Sequence, residues 1–522
     1  MTLNYPYKNF YEMAMVNAAA NPKKKVVFID DEKISNKELL EKIDSFARFL
    51  ELCELKENEK VALILPNSLE FLVAVFAIGK LGGIVVPINN MLKRDEISYI
   101  LGDCEAKIVI TSKDFAKETQ NIGACTQVEK TIWIDEVPSQ DDNNFLYVEK
   151  EHKISYTNNT VGVSRDLDDL AVIFYTSGTT GYPKGAMLSF RNIFSNLVGV
   201  MKIFDIRQKD RFILYLPMFH AFTFSVMMLL PVFADTSIVI IRKLLPFSNI
   251  IKQTLLKRVT IFLGVPDIYN ALIRAKLPWY FLWFNSIRLF ISGASALSEE
   301  TLNRYTKVFK RAKMLEGYGL SECSPAVCVN SLSVQRVYSV GCAIPGYEVK
   351  IVDHEMVEVP YGEVGEIIVH GDCVMHGYLN NPQATDETII NGWLKTGDLG
   401  KMDIDGFVYI VDRIKDIIIS KGINIYPRQI EEELMKLSYV KLCAVVSKPD
   451  TNSGEIPVAF IELIEDVDKI HITQAKVKSD LKHTLANFKI PKMVHFVDDL
   501  PKTATGKVLK RVLKERIRQG EI

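Results

Sequence analysis

Net charge is the first thing this sequence lacks. Its 63 lysines and arginines face 64 aspartates and glutamates, leaving −1 over 522 residues. No broad basic surface therefore marks it as a nucleic-acid binder. Metal-binding patterns are missing too. The 8 cysteines are scattered without a C-x-x-C pair, and the closest two, Cys323 and Cys328, have no histidine pattern beside them. That excludes a zinc ribbon and a disulfide framework, and implies a reducing compartment, with the cytoplasm as the expected location. The N-terminal "MTLNYPYKNFYEMAMVNAAA" has no basic segment leading into an apolar one, so no signal peptide is expected. One uncharged run of bilayer length does occur, "FILYLPMFHAFTFSVMMLLPVFA" at 212–234, but Pro217, His220 and Pro231 interrupt it. A buried strand followed by a buried helix is the expectation there.

What is present is a long, ordinarily globular composition. A chain of 522 residues exceeds one core, so two or more domains are expected. Short apolar segments rich in β-branched residues ("KVALILPNS", "GIVVPIN", "AKIVITS", "LAVIFYTS") alternate with helical ones such as "LEFLVAVFAIGKLG". That alternation predicts an α/β fold with largely parallel sheets. The polar stretch 137–165 reads as loop, and no internal repeat is visible. Beyond about residue 400 the texture changes. "GKMDIDGFVYIVDR" reads as a hairpin turning at Asp405-Gly406. "PRQIEEELMKL" reads as a helix with Pro427 near its start, "VKLCAVVSKP" as a strand, and the basic "KVLKRVLKERIRQ" as a closing helix. The expectation is a large N-terminal domain of α/β sheet subdomains, residues 1–414, and a small mobile α+β domain, residues 415–522.

Four stretches carry residue types suited to nucleotide chemistry. "YTSGTTGYPKG" (175–185) concentrates Gly178, Gly181 and Gly185 with Thr176, Ser177, Thr179, Thr180 and Lys184. Glycines let backbone N–H groups approach an anion, hydroxyls donate, and the lysine adds charge. The spacing differs from that of P-loop NTPases, because Pro183 precedes the lysine and a glycine follows it. The loop follows a strand and precedes a helical segment. "LEGYGLSECSP" (315–325) places Glu322 beside Ser321 and Tyr318, a carboxylate suited to Mg²⁺ and a ring suited to stacking on a base. "GWLKTGDLG" (392–400) offers Asp398 for ribose hydroxyls, with Arg413 in "VDRIKD" to assist, and "LPKTATGKVLKR" (500–511) places Lys507 after Gly506. Alone, the first and third stretches also read as polar turns, the second as a helix start with a solvated glutamate, and Lys507 as solvated surface charge.

Together and in this order the stretches resemble the adenylate-forming enzymes: acyl-CoA synthetases, firefly luciferase and peptide-synthetase adenylation domains. The resemblance runs from "PINNMLKRDEISYIL" to the final helix, with "GFVYIVDRIKDIIISKGINIYPRQIE" as a further distinctive string. It implies that a carboxylate attacks the α-phosphorus of ATP to give acyl-adenylate and pyrophosphate, after which a thiol displaces AMP. By position, Thr176, Ser177, Gly178, Thr179, Thr180, Gly181 and Lys184 match the β,γ-phosphate loop. Gly293, Ala294 and Ser295 match the adenine-lining segment, and Gly317, Tyr318 and Gly319 the segment packing on the base. Ser321 stands where the family usually has threonine and keeps the hydroxyl. Glu322 matches the Mg²⁺ ligand, Asp398 and Arg413 the ribose pair, and Lys507 the lysine that stabilises charge in adenylation. Lys415 matches the hinge about which the small domain rotates. Ser420, Lys421 and Gly422 match the face that then meets the pantetheine tunnel, where a glycine lets a thiol arm pass close to backbone. His220 matches a positioning residue or gate near the acyl carboxylate.

No string fixes the acid. The segments expected to line the acyl pocket, 220–230 and 262–272, are mostly apolar, with Met227 and Met228 as an adaptable wall. No charged residue lies between 212 and 234. A fatty acid is favoured over dicarboxylates and amino acids, with medium- and long-chain fatty-acid–CoA ligases the best match. Alternatives are a synthetase for another apolar acid, or one that loads the phosphopantetheine arm of acyl carrier protein, an acidic partner that the basic C-terminal helix suits. A non-catalytic sensor on the same scaffold is a different class, against which Lys507, Glu322 and the ATP loop argue. The expected ligands are ATP, Mg²⁺ and coenzyme A. "LIRAKLPWYFLWFNSIRLF" (272–290) mixes Arg274 and Lys276 with five aromatic residues between Trp279 and Phe284. It reads either as a helix packed near the acyl tunnel or as a peripheral contact with the inner face of a membrane.

Overall fold

The computed structural model describes residues 5–138, 144–147, 162–176, 182–243, 247–266, 268–269, 272, 277–293, 299–464, 471–502 and 508–521. Two large sheets form the bulk of the molecule. In the first, eight strands run in the order Gly377–Tyr378, Lys184–Ser189, Leu170–Thr176, Ile84–Pro87, Lys60–Ile64, Ile108–Thr111, Lys130–Trp133, Asn144–Leu146. From Leu170–Thr176 onward all pairings are parallel. Every β-rich segment singled out in the sequence is a strand here. Within the stretch read as loop, Asn144–Leu146 forms a short edge strand beside Lys130–Trp133, too brief for its alternation to show in sequence. The helix Leu69–Lys80 is buried on all sides, which is why its sequence is apolar all round rather than striped. Ser68 caps it, accepting from the Phe71 N–H.

The second sheet has nine strands. Its parallel core runs Lys313–Gly319, Leu289–Ser292, Ile261–Gly264, Arg211–Leu214, Ser237–Ile240, Lys25–Ile29. The long uncharged run resolves as expected into the strand Arg211–Leu214 and a buried helical segment, Thr223–Phe233, that starts as a π-helix. Among the described residues no helix is long and apolar enough to cross a membrane.

A third, antiparallel sheet carries Tyr347–Val352, Gly365–Gly371, Trp393–Met402, Ile389–Ile390 and Val408–Arg413. Its hairpin turns at Asp403–Phe407, with Gly406 at φ +83°. The fourth sheet belongs to the small domain, and its core is separate: apolar packing of the large domain ends at Ile410, and that of the small one starts at Ile418. Cys443, Val445, Ala459 and Ile461 pack beneath the helices Pro427–Met435 and Gln474–Leu481. Their neighbours Ala444, Val446, Val458 and Phe460 meet Leu513 and Ile517 of the helix Lys510–Arg518. The period of two along a strand gives each face its own helix layer. The fold is mixed α/β, with a large N-terminal and a small C-terminal domain.

Candidate active site

A cleft of about 3340 Å³ lies between the two domains, well beyond the few hundred to ~1,000 Å³ of a closed ligand pocket. Thr176, Lys184, His220, Gly293, Gly317, Tyr318, Gly319, Ser321, Glu322, Asp398, Arg413 and Lys415 all line it, gathered from strand ends far apart in sequence. Ser177, Gly178, Thr179, Thr180, Gly181, Ala294, Ser295 and Lys507 lie outside the described residues. Lys502 and Val508, on either side of Lys507 in sequence, line the cleft from the small domain.

Asp398 and Arg413 meet because their strands are antiparallel neighbours and the two residues are cross-strand partners. Arg413 Nε lies 3.2 Å from Asp398 Oδ1, and the Tyr318 hydroxyl donates to Asp398 Oδ2 at 2.7 Å. Asp398 is buried, so these donors offset the cost of an ionised carboxylate away from water. Burial, and after it the neighbouring Asp398 charge, pushes the Tyr318 hydroxyl well above its usual range. Tyr318 thus stays a neutral donor with its ring fixed in the cleft. The aspartate read from sequence as a turn residue or ribose acceptor is a strand residue, set beside Gly397 at φ +70°.

The segment around Glu322 is not a helix start. Lys313–Gly319 is a strand, followed by the short 3₁₀ turn Ser321–Cys323. At Gly319 a Cβ would stand 1.9 Å from the Pro325 carbonyl oxygen, so only glycine permits the fold-back that presents Glu322. Thr176 and Tyr378 both donate to Glu322 Oε1, at 3.3 and 3.1 Å. Burial, then the Glu322 carboxylate, raises the Tyr378 hydroxyl far above its ordinary value. Lys184 Nζ sits 5.1 Å from the Tyr378 ring centroid, a cation–π distance. The phosphate-type loop also differs from expectation. It joins two antiparallel strands, Leu170–Thr176 and Lys184–Ser189, with Thr176 opposite Lys184, and the helix Phe190–Phe204 follows only after the second strand. Threonine and lysine from the loop's two ends are thereby held side by side. Tyr378 was missed in the sequence because its strand is two residues long and distant. Only its pairing with Lys184–Ser189 brings it in.

Another stretch of the wall is apolar. Ala221, Phe222, Val226, Val265, Pro266 and Ile291 form it, while Arg304 and Lys307 also line the cleft, and Phe222 lies against Gly293, where a Cβ would meet its ring at 3.5 Å. His220 is half-buried, and its Nδ1 accepts the Phe222 N–H at 3.3 Å. Met227 and Met228 do not form this wall: both are fully buried in the core, because the helix turns them away from the cleft.

Just past the junction the small domain is braced internally by charge. Lys514 donates to the Lys415 carbonyl and pairs with Asp416 at 3.3 Å, and Lys510 pairs with Glu431 at 2.8 Å. Burial opposes the Asp416 charge, but Lys510 and Lys514 outweigh it and hold the carboxyl below the usual range. Lys415 lines the cleft, where partial loss of solvent and then Arg413 lower its ammonium pKa. Ser420, Lys421 and Gly422 are not brought to the cleft. They form the turn between Ile418–Ser420 and Ile423–Ile425, with Lys421 at φ +51° and Gly422 at φ +78°. A Cβ on Gly422 would meet open space. In this arrangement turn geometry, not close contact, calls for the glycine.

The AMP-binding enzyme family matches residues 15–379, and the AMP-binding enzyme C-terminal domain matches residues 429–507. A long-chain-fatty-acid–CoA ligase of Escherichia coli is 33% identical over 514 residues, covering 93% of this chain and 91% of that protein. A feruloyl-CoA synthase of an Amycolatopsis species is 32% identical over 483 residues, covering 92% and 93%. The crystal structure of ATP-bound MatB from Rhodopseudomonas palustris aligns with a TM-score of 0.87 at 31% identity, covering 98% of this chain and 100% of that one.

Proposed function

Since the chain belongs to the AMP-binding enzymes, as an AMP-forming acyl-CoA ligase of that family, we propose that its substrate is a fatty acid and its thiol acceptor is coenzyme A. The observation that carries the reading is the pairing of walls in one cleft. One stretch holds the polar set Tyr318, Asp398, Arg413, Thr176, Glu322 and Lys184. Ala221, Phe222, Val226, Val265, Pro266 and Ile291 form an apolar stretch suited to an aliphatic chain, with Arg304 and Lys307 elsewhere along the cleft. The E. coli relative's activity on long-chain fatty acids supports it.

In the first step a carboxylate oxygen of the acid bonds to the α-phosphorus of ATP while the bond to the β-phosphate oxygen breaks, releasing pyrophosphate. Asp398 accepts the two ribose hydroxyls. Arg413 and Tyr318 each occupy one of its oxygens and leave a lone pair on both. The Tyr318 ring packs on the base, framed by Gly317, Gly319 and the segment Gly293, Ala294 and Ser295. Thr176 and Lys184, with Ser177 to Gly181 between them, hold the β- and γ-phosphates. Glu322 suits Mg²⁺, a hard cation that takes one or two carboxylates and completes its shell with phosphate oxygens and water. Among the described residues no cluster of three or more metal-type side chains exists, which fits an ion bound with the nucleotide. That ion would neutralise phosphate charge. Lys507 stabilises the charge that develops on the α-phosphate, and His220 positions the acyl carboxylate. In the second step the thiol sulfur bonds to the acyl carbon and AMP leaves. The small domain, residues 415–522, turns about Lys415 between the steps and carries Ser420, Lys421 and Gly422 toward the thiol's path. Lys510 and Lys514 of the C-terminal helix are engaged by Glu431 and Asp416, which leaves that helix less charge for an acidic carrier protein and favours coenzyme A.

The test is AMP release with ATP and Mg²⁺ over fatty acids of graded length, with coenzyme A, acyl carrier protein or neither. Coenzyme A-dependent release that peaks at one length is expected. Release only with carrier protein, or only with an aryl acid, would replace the reading.

A further inference from the structure

The helix Trp279–Phe284, "WYFLWF", has no part in this chemistry. The sequence left it either packed near the acyl tunnel or at a membrane surface, and its exposure decides against packing. Trp279 is 70% exposed, Trp283 67% and Phe284 68%, while Phe281 alone turns inward, edge-on to Phe309 with centroids 6.4 Å apart. Arg274 and Lys276 lie outside the described residues.

Its surroundings follow from topology. Phe247–Leu256, Trp279–Phe284 and Glu299–Val308 each precede a strand of the second sheet's parallel core, and the three connections advance in one direction across it. Right-handed crossovers therefore place all three helices on the same face. The exposed rings sit between the other two, and Leu256 (61% exposed) and Val308 extend the apolar surface. Along the three connecting segments charge of one sign dominates. Residues 247–259 hold three cations and no carboxylate, and 277–287 hold no charge at all. Residues 302–313 hold five cations and no carboxylate, of which Arg304 and Lys307 line the cleft and Lys310, Arg311 and Lys313 follow the helix. Glu299 and Glu300 open the third helix. In a chain of net charge −1 this is a strong local bias. Lys252, Arg258, Lys310 and Arg311 are exposed and make no ion pair with a described residue.

We propose that this face docks on an anionic lipid bilayer, with Trp279, Trp283 and Phe284 entering the interfacial layer and the flanking lysines and arginines meeting lipid phosphates. Large amphipathic rings favour that layer, and long cationic side chains lay their stems on apolar surface while their heads reach the phosphates. A second copy of the chain is disfavoured as occupant, because a two-fold contact would set this cationic rim against itself.

The test is flotation of the full chain with vesicles of phosphatidylcholine alone or mixed with phosphatidylglycerol, at low and high salt. Trp279 and Trp283 fluorescence is followed with bromine-labelled lipid. The expected result is binding to the mixed vesicles, weakened by salt, with quenched emission. At least a tenfold loss is expected in Trp279→Ser/Trp283→Ser/Phe284→Ser, and a clear loss in Lys310→Glu/Arg311→Glu. No bound protein, equal binding to phosphatidylcholine alone, or variants that bind as the parent does would each overturn it. So would a dimer of the parent chain that the ring substitutions dissolve. Flotation reads no catalysis, so its failure leaves the proposed reaction standing, and the reverse holds.

Discussion

In the polar part of the cleft both carboxylates are held by named partners: Asp398 by Arg413 and Tyr318, Glu322 by Thr176 and Tyr378. In the apolar part, Ala221, Phe222, Val226 and Val265 belong to the packing that forms the large domain's core. The first side is specified by hydrogen-bond geometry that tolerates few residue types. The second is specified by volume, which many apolar residues supply. A family can keep the first and vary the second, so relatives acting on long-chain fatty acids and on feruloyl groups stand at nearly equal identity to this chain.

Substitutions on the two sides should then have different signatures. The largest effect is expected for Lys507→Ala: adenylation falls roughly 10²–10³-fold, as when one preorganised stabilising group is removed, while thioester formation from added acyl-adenylate is largely spared. Single-turnover assays of the two halves separate them. Next, Asp398→Ala removes a charged partner and should cost about 1.5–3 kcal/mol in kcat/KM for ATP, roughly ten- to a hundredfold, with the KM for the acid little moved. On the acyl side Val265→Phe should do the reverse. It shortens the preferred chain and weakens longer acids by about 0.8 kcal/mol, near fourfold, per methylene no longer housed, with KM for ATP unchanged. A Val265→Phe variant that altered ATP and acid equally would break the comparison. The smallest effect is expected for Tyr378→Phe, which leaves Glu322 its bond from Thr176. About 0.5–1.3 kcal/mol, roughly two- to tenfold, should appear in adenylation.

The same contrast explains what could be read in advance. That Asp398, Arg413, Glu322 and Tyr318 share one cleft was legible because the backbone around them is constrained: Gly319 cannot carry a Cβ against Pro325, and Gly397 takes a positive φ. Such constraints leave fixed strings. The strands were legible from β-branched runs, and the small domain from its change of texture. Tyr378 was not, since a two-residue strand has no periodicity and reaches the site only through sheet pairing. Met227 and Met228 were misplaced because an apolar helix does not announce which face meets a cavity and which meets core. The Trp279–Phe284 helix stayed ambiguous for the same reason until its exposure was seen.

If the cleft joins a carboxylate to AMP before any thiol arrives, labelled pyrophosphate is incorporated into ATP with a fatty acid present and coenzyme A absent. The expected exchange requires the acid, needs no thiol and is lost in Lys507→Ala. Absence of exchange with every acid, or release of inorganic phosphate in place of pyrophosphate, would contradict it.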